Sequence, residues 1–230
     1  MNERRPSRRT DPRAPVLSGS LRELLARYRF VERFAAGRAV LVIGAADGSG
    51  AARLADVAQK VVALDPVPAL IQRAVRRYRR PNLRFAVGGP DVAGLTPASF
   101  DVITAFHRLD RVTRWPAFLD GVRAVMRPGG QFVIAVENAN WEALGRAPAM
   151  LPSGAPAFPL AEFHDLLADR FKIRGLYGQS SAAKALLIHT AAYVCPHGAG
   201  AAVDLADRAA AVAGPATAAS RYFVAVCERR

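Results

Sequence analysis

The length, composition and charge of the chain exclude several classes of protein. Its 230 residues are 51% hydrophobic, enough for one domain with a sizeable core, and no apolar run reaches the roughly 18 to 20 residues of a membrane span. Two cysteines are too few for a metal cage or a disulfide framework, and the net charge of +13 comes almost wholly from arginines spread along the chain, which points to genomic base composition rather than to a nucleic-acid partner.

The start of the chain is predicted to form an arm followed by a helix. Residues 1–18 hold prolines and arginines without an apolar core, so we expect a disordered basic arm, no secretion signal and a cytoplasmic location. From Leu21 to Ala35 the apolar residues recur at helical spacing, with Ser20 as the N-cap and Gly37 as the stop signal. Residues 19–230 are then expected to form a single domain.

Short apolar runs alternate with helical patterns over residues 39–138, the predicted core of the domain. The predicted strands are Ala39–Ile43, Val61–Leu64, Leu83–Val87, Phe100–Ala105 and Gln131–Val136. The predicted helices are Ser49–Ala58, Val67–Tyr78 and Trp115–Met126. Strands that are apolar throughout and separated by helices predict a parallel sheet covered on both faces. We therefore predict an α/β fold with a doubly wound, mostly parallel sheet.

Beyond Asn138 the pattern becomes looser. A helix is predicted over Leu160–Asp169, and strands over Phe171–Tyr177 and Arg221–Cys227. The Ala-rich stretch at about 179–220 is expected to be an insertion between those two strands, and its place in the fold stays open.

A turn rich in small residues follows the first strand. The segment runs Val40-Leu41-Val42-Ile43-Gly44-Ala45-Ala46-Asp47-Gly48-Ser49-Gly50. Glycines there permit positive φ and let a ligand approach bare backbone, and the first N–H groups of the next helix lack helical partners. Asp65 ends the second strand, 21 positions after Gly44, where a carboxylate can accept hydrogen bonds from both hydroxyls of a ribose. These features predict a nucleoside-containing cofactor, and Ala46 at the middle glycine position argues against a dinucleotide.

Four motifs in order resemble those of the class I S-adenosylmethionine-dependent methyltransferase family. They are the turn after the first strand, which is similar to Val-Leu-Asp-Ile-Gly-Cys-Gly-Thr-Gly, then Val61-Val62-Ala63-Leu64-Asp65, Ser99-Phe100-Asp101-Val102-Ile103 and Val122-Arg123-Ala124-Val125-Met126-Arg127-Pro128-Gly129-Gly130. The resemblance implies a seven-stranded sheet with an antiparallel last strand, and S-adenosylmethionine as the cofactor. Pro128 and Gly129 also fit a type II turn, in which Gly129 takes a positive φ.

The resemblance also implies where the cofactor contacts lie. The implied contact residues are Gly44, Ala45, Asp47, Gly48, Asp65, Pro66, Gly89, Asp91 and Phe106. Three positions depart from the family pattern. Val42 replaces an acid, Ala46 replaces the central glycine, where a methyl group is tolerated if φ is negative, and Gly89 replaces an acid that contacts the adenine. Asp47 is a candidate to replace the missing acid of the turn, and Asp91 lies two positions after Gly89.

His107, just past the fourth strand, is the candidate catalytic base. The resemblance implies that the methyl group lies near this position, and a histidine side chain has an ordinary pKa near ~6.5. An alternative role for His107 is to pack on the adenine or to order a loop. Glu137 and Asn138 end the fifth strand at the same rim and are candidate contacts for the methyl acceptor.

The predicted function is methyl transfer from S-adenosylmethionine to a small-molecule acceptor. One alternative is a degenerate relative that serves as a non-catalytic binding or regulatory subunit, which Val42, Ala46 and Gly89 favour. A second alternative is an RNA methyltransferase, supported only by the basic charge; no Asn-Pro-Pro-Tyr-like signature follows the fourth strand. The sequence leaves the acceptor and the oligomeric state open.

Overall fold

The structure, a computed structural model, describes residues 20–106, 109–139, 157–179, 188–190 and 220–230. The helices are α1 (Ser20–Ala35), α2 (Ser49–Ala55), α3 (Pro68–Arg77), α4 (Trp115–Val125) and α5 (Leu160–Ala168), with a short 3-10 turn at Leu109–Arg111. The strands are β1 (Ala39–Ile43), β2 (Lys60–Asp65), β3 (Leu83–Val87), β4 (Phe100–Ala105), β5 (Met126–Asn138), β6 (Ala157–Phe158), β7 (Phe171–Gln179), β8 (Ile188–Thr190) and β9 (Tyr222–Arg229). No helix of the described segments is long and apolar enough to cross a membrane.

The strands form one sheet in the order β3-β2-β1-β4-β5-β9-β7-β8, with β6 beside β5. Strands β1 to β5 pair in parallel, and β9 runs antiparallel to both β5 and β7. The predicted doubly wound, mostly parallel sheet with an antiparallel last strand is confirmed. Strands β6 and β8, of two and three residues, extend the predicted set of seven.

Alternate residues of the central strands feed two cores, one on each face of the sheet. Leu41 and Ile43 belong to the core under α4 and α5, whereas Val40 and Val42 belong to the core under α1 and α2. All five residues of β1 are buried, as a strand covered on both faces requires. The carboxyl ends of β1, β2, β3, β4 and β5 therefore meet along one edge of the sheet.

Several predicted boundaries shift by a few residues for physical reasons that lie far away in sequence. Helix α2 ends at Ala55 instead of Ala58, because the Asn82 side chain donates hydrogen bonds to the carbonyls of Ala55 and Ala58 at 2.8 and 2.9 Å. Strand β5 begins at Met126, and Gly129 has φ +70°, as the type II turn predicts. The arm at 1–18 and positions 180–187 and 191–219 of the Ala-rich insertion lie outside the described residues.

Asp101 connects three segments of the parallel sheet. Its Oδ2 accepts a hydrogen bond from the Ala39 N–H at 2.9 Å, and its two oxygens lie 3.0 and 2.8 Å from Nη1 of Arg127. Burial raises the pKa of Asp101, but the Ala39 N–H and Arg127 outweigh that effect and hold the pKa below its ordinary value. The Ser-Phe-Asp motif therefore joins the start of β1 to β4 and to the turn in β5.

We expect Asp101→Ala to lower the free energy of unfolding at pH 7 by about 2 kcal/mol, because hydrogen bonds to a charged acceptor contribute roughly 1.5 to 3 kcal/mol. Since the folded-state pKa is lowered, this stabilisation is present above the unfolded-state pKa and is lost as the pH falls through the folded-state value. Urea denaturation at pH 7 and in acid measures both effects. The matched control is Asp120→Ala, whose exposed side chain pairs with Arg170 at 3.0 Å and should contribute less than about 1 kcal/mol. Equal losses in the two variants at pH 7 would contradict the prediction.

Candidate active site

The turn between β1 and α2 has a backbone with three left-handed residues. Gly44, Ala46 and Gly48 have φ of +78°, +50° and +82°. The negative φ under which a methyl group would be tolerated at Ala46 is therefore not adopted. The Ala46 N–H donates to Oδ2 of Asp65 at 2.9 Å, and this bond holds the alanine in a conformation that a residue with a Cβ rarely adopts.

Asp65 fastens that turn to the end of β2. Its side chain is fully buried, and its Oδ1 accepts the Val67 N–H at 3.0 Å while Oδ2 accepts the Ala46 N–H. The N–H groups of Gly44 and Ala45 both donate to the Leu64 carbonyl, at 2.9 and 2.8 Å. A carboxylate offers about four acceptor positions, and a ribose hydroxyl as a further partner of Asp65 stays a prediction. The acid and the turn thus lie together, as the sequence predicts.

Close packing explains why positions 48, in the turn, and 50, in the first turn of α2, are glycines. A Cβ on Gly48 would lie 2.8 Å from Cβ of Ala74 and 3.0 Å from the Phe85 ring. A Cβ on Gly50 would lie 1.9 Å from Cε2 of Tyr28 on α1. The Tyr28 ring therefore covers the start of α2. Burial raises the pKa of Tyr28, and among the nearby charges Arg27 lowers it while Asp47 and Asp65 raise it.

Asp47, the candidate substitute for the missing acid of the turn, bonds within its own turn. Its Oδ1 accepts the Ser49 N–H at 3.0 Å and the Ser49 hydroxyl at 2.6 Å. These bonds satisfy the first N–H of α2, whose N-cap Gly48 has no side chain to do so. A role for Asp47 toward the cofactor stays a prediction.

The residues after β3 bring an acid back to the edge of the sheet. The Gly88 N–H donates to the Asp65 carbonyl at 3.2 Å, which places the end of β3 beside the end of β2. Oδ1 of Asp91 lies 3.1 Å from the place that a Cβ on Gly89 would take. The Asp91 carboxylate thus occupies part of the space that an acid at Gly89 would fill. Pro66, after β2, is half-buried at the same edge.

Phe106 follows β4 directly, on the face that α1 covers. Its ring lies 5.2 Å from the Tyr28 ring, edge to face, and the Arg27 guanidinium lies 5.9 Å from its centre. His107 lies outside the described residues, so its predicted role as a base stays a prediction. Phe106 therefore links the turn after β1 to a second group of side chains further along the edge.

A buried hydroxyl beside Val42 has no hydrogen-bond partner. Thr104 on β4 pairs in register with Val42 on β1, so the two side chains share the face under α1. Its Oγ1 is buried and makes no hydrogen bond to the part of the chain that the structure describes. Because a valine stands where the family has an acid, nothing on β1 can bond this hydroxyl.

We expect Thr104→Val to raise the free energy of unfolding by about 1 kcal/mol, because burying an unbonded hydroxyl costs roughly 1 to 3 kcal/mol and the valine loses no hydrogen bond. Chemical denaturation of both proteins measures the change. Thr113→Val, at a position exposed to solvent, is the matched control and should change stability by less than about 0.5 kcal/mol. A clear loss of stability in Thr104→Val would contradict the prediction.

A group of polar side chains, which we call the rim cluster, lies at the carboxyl edge beside Phe106. It comprises Glu23 and Arg27 of α1, Glu137 of β5, Gln179 of β7, and Arg221 and Tyr222 at the start of β9. The Arg27 Nε donates to Oε1 of Gln179 at 2.7 Å, and the Arg27 guanidinium lies 4.2 Å from the centre of the Tyr222 ring. Gln179 donates in turn to the Glu23 carbonyl at 2.8 Å.

Burial dominates the electrostatics of the rim cluster. Burial lowers the pKa of Arg27, and the nearby Tyr222 and Glu23 offset part of that effect. Burial raises the pKa of Glu137, against the opposing influence of Arg221, Tyr222 and Arg27. The sequence pointed to Glu137 but not to Arg27 or Tyr222. Arg27 lies in a helical pattern and Tyr222 in an alternating strand pattern, and each pattern by itself indicated packing alone.

Known proteins resemble this chain in sequence and in fold. The methyltransferase domain family matches residues 17–173, more than half of the chain. The chain belongs to this family. Among relatives of this methyltransferase-domain protein, one from Mycolicibacterium smegmatis named "Probable S-adenosylmethionine-dependent methyltransferase" is 31% identical over 140 residues, which cover 61% of the chain and 54% of the relative. A ubiquinone biosynthesis O-methyltransferase from Methylocella silvestris is 29% identical over 135 residues, covering 54% of the chain and 53% of the relative.

The fold of this methyltransferase-domain protein also matches solved structures. A SAM-dependent methyltransferase from Aquifex aeolicus superposes with a TM-score of 0.61 at 14% identity, covering 92% of the chain and 93% of that protein. At that identity the likeness shows the fold alone. The matched part of the chain spans about half the length of each of the curated relatives named above.

The residues of this methyltransferase-domain protein fit the family's cofactor, S-adenosylmethionine. A backbone turn with two glycines, an acid at the end of β2 and a second acid after β3 meet at one edge of the sheet. Carboxylates such as Asp65 and Asp91 are the type of acceptor that ribose hydroxyls and an adenine amino group need, and their roles toward the cofactor stay predictions. Val42 and Ala46 depart from the family pattern, and yet the turn keeps its left-handed backbone because Asp65 bonds it.

Proposed function

We propose that this chain is an S-adenosylmethionine-dependent methyltransferase that acts on a small-molecule acceptor. The observation that carries the proposal is the bond between Asp65 and the Ala46 N–H, which brings the turn after β1 and the acid of β2 together at the carboxyl edge of the sheet. Ligands of open α/β sheets bind at the carboxyl ends of the strands, where this bond lies.

The proposed mechanism depends mainly on positioning. Asp65 accepts hydrogen bonds from the ribose, Asp91 accepts one from the adenine amino group, and the turn from Gly44 to Gly48 faces the rest of the cofactor. S-adenosylmethionine supplies, when bound, a methyl group on a positively charged sulfur. The chain's own residues then orient the acceptor and exclude water, a contribution that can reach about 7 to 11 kcal/mol of the barrier.

A small-molecule acceptor is supported by two observations. The relative from Methylocella silvestris is named for methylation at oxygen in ubiquinone biosynthesis. The rim cluster, next to Phe106, gathers a buried carboxylate and a buried guanidinium group, Glu23 and Arg27, within a few side chains. The basic charge that favours RNA is by contrast spread over exposed arginines, of which Arg73, Arg76 and Arg77 lie on α3.

A non-catalytic binding or regulatory subunit is the second candidate. It is favoured by Val42, which leaves the Thr104 hydroxyl without a hydrogen bond in the described structure. In that case the crevice binds the cofactor weakly or not at all, and no methyl transfer follows.

Thermal unfolding with S-adenosylhomocysteine separates the two candidates. A ligand at 100 times its dissociation constant stabilises the native state by about 2.7 kcal/mol, which raises the melting temperature of a chain of this size by roughly 5 to 10 °C. We expect such a rise at about 1 mM ligand, and none with NADH as the control. No shift would overturn the proposal and favour the second candidate.

A further inference from the structure

The rim cluster contains a carboxylate that lacks a hydrogen-bond donor. Glu23 is 4% exposed, and its Oε2 makes no hydrogen bond with any described residue. Nη1 of Arg221 lies 3.7 Å from this oxygen, too far for a hydrogen bond. Burying an ionised carboxylate without its full set of donors is costly, so a ligand that donates hydrogen bonds would be stabilising here.

We propose that the rim cluster is the acceptor subsite, that its ligand is a phenolic hydroxyl on an aromatic ring, and that Glu137 accepts the hydroxyl proton. This inference rests on the proposed function, because the proton is lost only when the oxygen is methylated.

The position of Glu137 places its side chain above the end of β4. Ile134 pairs with Ala105, the last residue of β4, and β5 then continues to Asn138. Glu137 lies three residues past that pair, about 10 Å further along the strand. Because Val133 and Ala135 face the core under α1, Glu137 two positions on faces the same side, as do Phe106 and Arg27.

Aromatic rings and donors flank that carboxylate. Tyr222, paired in register with Glu137, hydrogen-bonds its side chain. The guanidinium groups of Arg27 and Arg221 lie 4.2 and 5.2 Å from the centre of the Tyr222 ring, and Arg27 also lies 5.9 Å from the centre of the Phe106 ring. A flat aromatic ring suits such walls, and its hydroxyl provides the donor that the carboxylates need.

Among the described residues, the charged and titratable groups that act on Glu137 come from α1 and from the start of β9 with the residue before it. Arg221 and Arg27 favour its ionised form, Tyr222 hydrogen-bonds that form, and Glu23 opposes it, while burial opposes ionisation most strongly and raises the pKa of Glu137. A carboxylate with a raised pKa is a stronger base, which suits proton removal near neutral pH.

The proposed step balances as a displacement at carbon. The acceptor oxygen gains the methyl group, and the sulfonium sulfur keeps the electron pair of the broken carbon–sulfur bond and becomes a neutral thioether. The hydroxyl proton passes to a carboxylate oxygen of Glu137, which releases it to water afterwards.

The test uses the full chain with saturating S-adenosylhomocysteine and two matched probes, catechol and 1,2-dimethoxybenzene, which share a ring but differ in hydroxyl protons. Calorimetry should show catechol binding at least 10-fold more tightly. If S-adenosylhomocysteine itself does not bind, the proposed function fails. If it binds and catechol does not, this inference alone is overturned.

The Glu137→Gln variant then tests whether Glu137 accepts the proton or has only a structural role. With radiolabelled S-adenosylmethionine and catechol, we expect kcat to fall by roughly 10²- to 10⁴-fold with KM within a few-fold, and the acid limb of the pH–rate profile to disappear. Glu162→Gln, exposed on α5, is the control and should keep the wild-type rate and limb. Wild-type protein that binds catechol without methylating it, or a Glu137→Gln variant with the wild-type rate, would overturn the assignment.

The melting temperature of Glu137→Gln provides a second readout. The folded-state pKa of Glu137 is raised, so the folded protein loses stability as the pH rises from the unfolded-state pKa through the folded-state value. Glutamine has no such loss and keeps the hydrogen-bond partner. Above both pKa values the variant should therefore melt at or above the wild-type temperature, whereas a lower temperature would indicate a structural role and count against the proposal.

Discussion

The Asp65→Ala variant is expected to lose both stability and cofactor binding. Removing the Asp65 carboxylate leaves the N–H groups of Ala46 and Val67 without their acceptor. Hydrogen bonds to a charged group contribute roughly 1.5 to 3 kcal/mol each. We expect a loss of about 3 kcal/mol in the free energy of unfolding. The ribose would lose a charged acceptor for two hydroxyls, so affinity for S-adenosylhomocysteine should fall at least about 100-fold.

Urea denaturation and calorimetry measure these two effects separately. The matched control is Asp169→Ala, because that side chain is 77% exposed and lies 3.8 Å from Arg170. It should keep the wild-type affinity and lose less than about 1 kcal/mol. Wild-type affinity in folded Asp65→Ala would remove Asp65 from the cofactor site, and unchanged stability would show that its two backbone bonds contribute nothing.

The Gly50→Ala variant is expected to disturb the packing of α1 against α2. The new methyl group would lie 1.9 Å from Cε2 of Tyr28, whose ring is buried and also contacts Phe106. The ring cannot swing into solvent, so either it or α1 must move. Overpacking of this kind typically costs about 1 to 3 kcal/mol, and we expect a loss of about 3 kcal/mol, although alanine favours helix more than glycine does.

The control for this variant is Gly88→Ala, where a Cβ would make an ordinary contact of 3.4 Å with Leu64. It should change stability by less than about 1 kcal/mol. In a double-mutant cycle, Tyr28→Leu should recover part of the loss, because the shorter side chain vacates the space. Additive losses in the double variant would show that Gly50 and Tyr28 do not compete for that space.

Local physical chemistry explains why much of the carboxyl edge of the sheet was predictable from the sequence. The strand bounds Ala39–Ile43, Leu83–Val87 and Phe100–Ala105 agree with the structure to the residue, because each apolar run ends where turn residues begin. The pairing of the turn after β1 with Asp65 is likewise a consequence of adjacent parallel strands. The positive φ of Ala46 was not predictable from local preferences, because the bond to Asp65 outweighs the local preference of an alanine.

The sequence by itself determined the layered α/β fold, the order of its core strands and the acid at the end of β2, since periodicity and turn chemistry act over a few residues. The rim cluster was decided by tertiary structure, because it joins side chains as far apart as Arg27 and Gln179, 152 positions along the chain. A buried arginine on an amphipathic helix has the same local pattern as an exposed one. Its burial and its partners depend on how α1 packs over β9 and the end of β5, which no short-range preference specifies.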